Sequence, residues 1–247
     1  MTVHRLHDAE EVARRAAEAV AEAARMAIAQ RERFTILLAG GDTPRRLYER
    51  LATDSSIEWS KVEFFWGDER AVPADHPDSN YRMARVVLLD PLRVDPRRVH
   101  RIPAERGDLA AVALEYEREL ARIAGGAPGG PAPRLDLALL GMGADGHTAS
   151  LFPHTKALAE SRRWFAANEV PALATSRITA TFPLLERARA VFFVVTGEAK
   201  ADALAAALEG DWNPKLVPSQ RLRSRAGVDW FVDAPAASRL RAPDPGA

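Results

Sequence analysis

Asp145-Gly146-His147 is the densest piece of reactive chemistry in the chain. Histidine is the side chain whose ordinary pKa makes it a competent proton acceptor near neutral pH. A carboxylate two residues away is close enough in sequence to orient it, although that separation does not by itself guarantee contact. The pair lies in GMGADGHTASLFP, residues 141–153, where Gly141, Gly143 and Gly146 allow tight turns. Thr148, Ala149 and Ser150 follow and predict a helix start, so a histidine that merely caps a helix is the competing reading.

Three further clusters carry chemistry. Gly40-Gly41-Asp42-Thr43-Pro44 has the composition of an anion cradle: glycines let the backbone approach a ligand, Thr43 adds a hydroxyl, and a helix opening at Pro44 adds N–H donors and partial positive charge. The alternative is an ordinary strand-to-helix turn. Asp68-Glu69-Arg70 offers a planar guanidinium fork for an oxyanion or phosphate, and Asp68 to orient a hydroxyl group; a charged surface turn is the plainer reading. Lys200 stands at the start of another predicted helix, where a cation is unfavourable unless it faces an anion. The remaining histidines, 4, 7, 76, 100 and 154, have no comparable setting. His147 and His154 lack a clear third ligand, so no metal is expected there.

These clusters must be positioned by regular elements. Short apolar runs predict buried strands at Phe34–Ala39, Val62–Trp66, Leu135–Leu140, Val191–Thr196 and Val228–Val232, with weaker ones at Val99–Ile102 and Arg177–Phe182. Helices are expected over Asp8–Gln30 with Val12, Ala16, Ala19, Ala23 and Met26 inward, Pro44–Leu51, Ser79–Leu89, Leu109–Ile123, Lys200–Leu208 and Ala234–Leu240. GGAPGGPAPR, residues 125–134, reads as a helix-to-strand loop, and Val72–Asn80 as another. Alternating strands and helices imply an α/β fold, a three-layer, mainly parallel Rossmann-like sheet with helices on both faces, in one domain over 1–241 and a disordered tail at 242–247. In such sheets ligands bind outside the carboxyl ends of the strands. GGDTP, GDER, GMGADGH and TGEAK all fall at such ends, and their convergence is a stronger signal than any one of them.

Composition narrows the function. Basic and acidic residues number 34 each, which gives no electrostatic case for nucleic acid or a membrane surface as partner. The absence of cysteine excludes disulfides, thiolate metal sites and a cysteine nucleophile. With no signal-peptide pattern and no long apolar run, a cytoplasmic enzyme is expected, monomeric or weakly self-associating. Gly141-x-Gly143-x-x-Gly146 also matches a dinucleotide-binding fingerprint. It lies past the middle of the chain, and no acidic residue ends a second strand about twenty positions on. An NAD enzyme is therefore the weaker reading.

Four stretches together resemble one family: LLAGGDTPRRLYERL, FFWGDERAVPADHPDSNYRMAR, DLALLGMGADGHTASLFP and ITATFPLLERARAVFFVVTGEAKADAL. In this order, from about Phe34 to Ser238, they are similar to the glucosamine-6-phosphate deaminase/6-phosphogluconolactonase family, and to its lactonases in particular. The resemblance implies the α/β fold shared with sugar-phosphate isomerases, a sugar-phosphate substrate, and hydrolysis of 6-phosphoglucono-δ-lactone without cofactor. For such a reaction His147 is expected to act as general base on water and Asp145 to orient His147 or the substrate hydroxyls, while Arg70, Lys200 and Arg177, a basic position in the family, hold substrate charge, with the one that meets phosphate left open. The related deaminases carry a glutamate before the proline that closes the DGH motif, where this chain has Phe152, and DEY where it has DER. Both departures favour the lactonase.

Overall fold

FTILL, LALL and AVFFVV are buried along almost their whole length, as strands covered on both faces must be. In the computed structural model, which describes residues 1–223 and 225–241, the elements run β1 (Thr2–Leu6), α1 (Ala9–Arg31), β2 (Phe34–Leu38), α2 (Asp42–Leu51), β3 (Val62–Trp66), β4 (Asp68–Arg70), α3 (Asn80–Ala84), β5 (Val99–His100), α4 (Leu109–Ala124), β6 (Leu137–Leu140), β7 (Phe165–Val170), β8 (Thr175–Ala180), α5 (Phe182–Leu185), β9 (Ala190–Val195), α6 (Ala201–Glu209) and β10 (Val228–Asp233). The tail expected at 242–247 lies outside the described residues.

Seven strands form a wholly parallel sheet in the order β1-β10-β9-β6-β2-β3-β5. From β2 the chain moves outward to β3 and β5, then returns to β6 on the other side of β2 and continues to β9 and β10. The carboxyl ends of β2 and β6 therefore flank a topological switch point, where open α/β sheets bind ligands. Side chains alternate across the sheet: Phe65 packs on Tyr116 of α4 at 6.1 Å, and its neighbour Phe64 on Trp59 at 6.1 Å. The Tyr116 hydroxyl also takes the Trp66 N–H (2.9 Å) and donates to the His100 carbonyl (2.7 Å), tying α4 to β3 and β5. α1 is capped by Asp8, whose carboxylate accepts the Glu10 and Glu11 N–H groups. Its buried face is Val12, Ala13, Ala16, Ala17, Val20, Ala21, Ala24, Ala27 and Ile28, so Met26 points outward, and the expected stripe is rotated. No described helix is long and apolar enough to cross a membrane.

A second, antiparallel sheet of three strands, β4-β8-β7, packs beside the first. Asp68-Glu69-Arg70 is thus a strand rather than a loop. Only Gly67 separates it from β3. The Gly67 N–H donates to the Leu38 carbonyl at 2.9 Å in one sheet, and its carbonyl accepts from Ala180 N at 2.6 Å in the other. The strand expected at Arg177–Phe182 runs from Thr175 to Ala180, with Phe182 opening α5.

Two expected helices are absent. After His147 the chain forms an isolated bridge between Thr148 and Leu151, because Ala149 takes a left-handed φ of 48° that a helix cannot accommodate. Over Ala234–Leu240 a single i,i+4 bond, Ala237 N–H to Asp233, is followed by tighter i,i+3 turns, Ser238 to Pro235 and Leu240 to Ala237. The Asp233 carboxylate caps that turn through Ala236 N (2.8 Å) and also binds Gly197 N (3.0 Å). The helical stretch from Asn80 changes to a π-helical turn at Arg85–Leu89.

Candidate active site

The carboxyl ends of β3, β2, β6 and β9, which are neighbours in the sheet, open on one cleft of about 510 Å³. Gly40, Gly41, Asp42, Thr43, Asp68, Arg70, His147, Arg177 and Lys200 all line it, joined by Asn80, Met142 and Thr196. Asp145 is the one candidate that stands behind the wall rather than in it. Among the described residues no group of three or more histidines and carboxylates converges as a metal would require.

His147 is held from behind. Its Nδ1 lies 2.6 Å from Asp145 Oδ1, which also accepts the His147 backbone N–H at 3.2 Å. Partial burial pushes the Asp145 carboxyl up. The hydrogen bond and charge of the His147 ring outweigh this and keep it below its ordinary value of 3.8. A carboxylate only accepts, so Nδ1 carries the hydrogen and Nε2 is the free nitrogen. The turn that makes the contact needs its glycines. A Cβ on Gly143 would fall 2.1 Å from His147 Nδ1 and 2.4 Å from Asp145 Oδ1. Gly146 has φ +78°, and its missing Cβ leaves room for Val217.

The opposite wall is Gly40–Pro44, the segment whose composition suggested an anion cradle. Gly41, at φ 100°, precedes α2, so Asp42, Thr43 and Pro44 form the first helical turn, two residues earlier than expected. The Thr43 hydroxyl meets that of Thr196 at 2.7 Å, which joins this turn to the loop carrying Lys200. A short 3-10 turn, Glu198–Lys200, places Lys200 directly before α6.

The small sheet supplies the third wall. Arg70 and Arg177 are register partners across β4 and β8, and both contribute to the cleft. Arg70 Nη1 donates to the Asp78 carbonyl at 2.5 Å, and Arg177 Nη1 lies 3.9 Å from Asp68 Oδ2. The Nε atoms of both are buried without a partner. Burial pushes the Arg177 guanidinium below its usual value, opposed by Asp68 and reinforced by Arg70. Asp68 is itself buried. Ser150 Oγ donates to its Oδ2 at 2.5 Å, and Asn80 Nδ2 to its Oδ1 at 3.2 Å and its carbonyl at 2.9 Å. Asn80 in turn fills the space beside Gly40, where a Cβ would meet its Oδ1 at 1.8 Å. Glu69 points away from the cleft and accepts from Ser79 Oγ and the N–H groups of Asn80 and Tyr81, fixing the start of α3; burial raises its carboxyl above the ordinary range.

Residues 7–230 match the model of the glucosamine-6-phosphate isomerases/6-phosphogluconolactonase family. The chain belongs to that family. It is 42% identical to the 6-phosphogluconolactonase of Synechocystis over 215 residues, covering 87% of this chain and 88% of that one. It is 43% identical to that of Mycobacterium tuberculosis over 220 residues, with the same two coverages. The solved 6-phosphogluconolactonase of Trypanosoma brucei superposes with a TM-score of 0.87 at 29% identity, covering 97% of this chain and 98% of that one.

Within this member of the glucosamine-6-phosphate isomerase/6-phosphogluconolactonase family, Asn80, Ser150 and Thr196 complete the cleft or brace its walls, and none stood out in the sequence as a site residue. Asn80 and Ser150 act on Asp68 over long sequence separations that no local pattern reports. Thr196 had a usable signal, since it ends a buried strand just before TGEAK.

Proposed function

We propose that this chain hydrolyses 6-phospho-D-glucono-1,5-lactone to 6-phospho-D-gluconate in the oxidative pentose phosphate pathway, with His147 as general base on water. The observation that carries the reading is His147, held 2.6 Å from Asp145, facing a cleft also lined by Arg70, Arg177 and Lys200. An anionic sugar lactone needs a base, a positive field and anchoring, and these side chains supply each.

The substrate phosphate lies against the α2 N-terminus, the Thr43 hydroxyl and Lys200, where N–H donors and a cation meet. Arg70 and Arg177 supply the remaining positive field. Nε2 of His147 takes a proton as the water oxygen attacks C1. The carbonyl oxygen becomes a tetrahedral oxyanion, stabilised by the preorganised cations around it. Collapse breaks the bond from C1 to the ring oxygen, and the imidazolium returns its proton to that oxygen, which leaves as the C5 hydroxyl. Asp145 holds the ring in the required tautomer and compensates its transient charge. The lactone is an activated ester, so the mechanism invokes neither metal nor organic cofactor. A cytoplasmic location accords with the cysteine-free, charge-balanced composition.

The test is hydrolysis of 6-phosphogluconolactone against deamination of glucosamine-6-phosphate, with no metal or NAD added. Faster deamination would overturn the reading in favour of the other branch of the family.

A further inference from the structure

Phe152 is a buried aromatic residue that does not belong to the main hydrophobic core. It is 6% exposed, yet it stands apart from the core cluster that takes in its neighbour Leu151. Its ring partners are polar. The His147 imidazole lies 3.9 Å away between centroids at an interplanar angle of 30°, and the Arg177 guanidinium carbon 5.5 Å from the ring centroid. The backbone at this point is pinned: the Phe152 carbonyl accepts from both the N–H (3.2 Å) and the hydroxyl (2.8 Å) of Thr155.

One hydrogen bond does not fix an imidazole. Held only at Nδ1 by Asp145, the ring can still swing about that contact and carry Nε2 off the water it must reach. A surface against the ring face removes this freedom. We propose that Phe152 is a positioning residue that sets the tilt of His147 and holds Arg177 at a fixed distance from it, so that base and anion-binding cation are kept in register by one aromatic spacer. This inference rests on His147 being the base. It adds a role that changes along the reaction: once Nε2 has taken the proton, the imidazolium lies against a π face and gains a cation–π attraction that the neutral ring lacks. The charged groups around the His147 ring are then Asp145 at its Nδ1 edge and Arg177 beyond the phenyl ring. Misplacement of a catalytic group by about 1 Å can cost about 100-fold in rate, so the effect belongs mainly in turnover.

The experiment compares Phe152→Leu with Phe152→Tyr in the full chain. For the leucine variant, kcat falls by about tenfold or more while KM rises by a smaller factor. The acid limb of kcat/KM moves to lower pH, because the imidazolium has lost its π partner. Tyrosine restores most of kcat and the original limb. The His147 ring protons, shifted upfield by the phenyl ring in the NMR spectrum of the parent protein, keep that shift with tyrosine and lose it with leucine. Should leucine prevent folding, Phe152→Met takes its place. Parent-like turnover and pH limb without the aromatic ring would overturn the inference, as would equal damage from tyrosine and leucine. His147→Ala separates the two ideas. An active alanine variant removes the base itself, whereas an inactive one beside a normal Phe152→Leu removes only the positioning role.

Discussion

Arg70 and Arg177 stand directly opposite each other across the antiparallel pairing of β4 and β8. Like charges in that position destabilise a sheet, and each guanidinium also has a buried Nε with no partner. Asp68, 3.9 Å from Arg177, offsets only part of this. The arrangement makes sense as half of an interaction whose other half is an anion. Arg177→Met is therefore expected to leave the thermal stability of the ligand-free protein equal or higher. Affinity for 6-phosphogluconate falls by about 1.5–3 kcal/mol, the usual range for hydrogen bonds to charged groups. Calorimetric titration and a melting curve read both quantities; a destabilised variant with unchanged affinity would contradict the argument.

Removing the proposed base separates chemistry from binding. On the proposed mechanism His147→Ala lowers turnover by about 10²–10⁴-fold, while product affinity changes little because the proposed phosphate site lies on the opposite wall. Gly143→Ala acts on the same pair indirectly, since its new Cβ would stand 2.1 Å from His147 Nδ1. Its kcat drops with the histidine still present. Steady-state kinetics of both variants decide the matter, and a fully active alanine at 143 would mean that the pair tolerates displacement.

Asp145 ties stability to acid pH. Its folded carboxyl titrates below the ordinary value of 3.8, so between the two values the unfolded chain binds a proton that the folded chain does not. The stabilisation it gives is complete above the unfolded value and is lost as pH falls through the folded one. In urea unfolding, the parent protein is more stable than Asp145→Asn at neutral pH, and the gap narrows below about pH 4. A gap that does not change with pH would show that the carboxylate contributes nothing through its charge.

Ser150 donates to Asp68 Oδ2 at 2.5 Å in a site where both residues are buried. Ser150→Ala leaves a buried acceptor short of a donor, at a cost of about 1–3 kcal/mol. It also loosens the carboxylate that faces Arg177, so KM should rise as stability falls. Chemical denaturation together with KM tests this, and loss of stability with unchanged KM would confine Ser150 to a structural role.

The parallel sheet was legible because strands buried on both faces are continuous apolar runs, and Gly40, Gly67, Gly141 and Gly197 follow four of them at the cleft. The contact of His147 with Asp145 followed from local sequence once the turn was closed. Of the small sheet only β8 was legible, from the alternation of RITATF: β4 is three charged residues, and FAANEV in β7 has only weak alternation. The pairing of Arg70 with Arg177 was hidden with them, as was the service of Ser150 and Asn80 to Asp68. The helix expected after His147 fails at the left-handed Ala149, and the hydroxyls of Thr148 and Ser150, apt as caps, donate to Gly141 and Asp68 instead.

Gly67 gives the chain a strict spacing rule. A single residue joins a strand of the central sheet to a strand of the small one, and both its N–H and its carbonyl are taken, one by each sheet. Strand side chains alternate, so one residue more or fewer here would turn Arg70 away from the cleft and Glu69 into it. A carboxylate would then line the cleft where the Arg70 guanidinium now does. Insertions at the β7–β8 turn, Pro171–Leu173, meet no such rule, because nothing in that turn touches the cleft. Length is thus constrained at the junction more severely than residue identity, and this short span would resist insertion and deletion even where neighbouring loops drift.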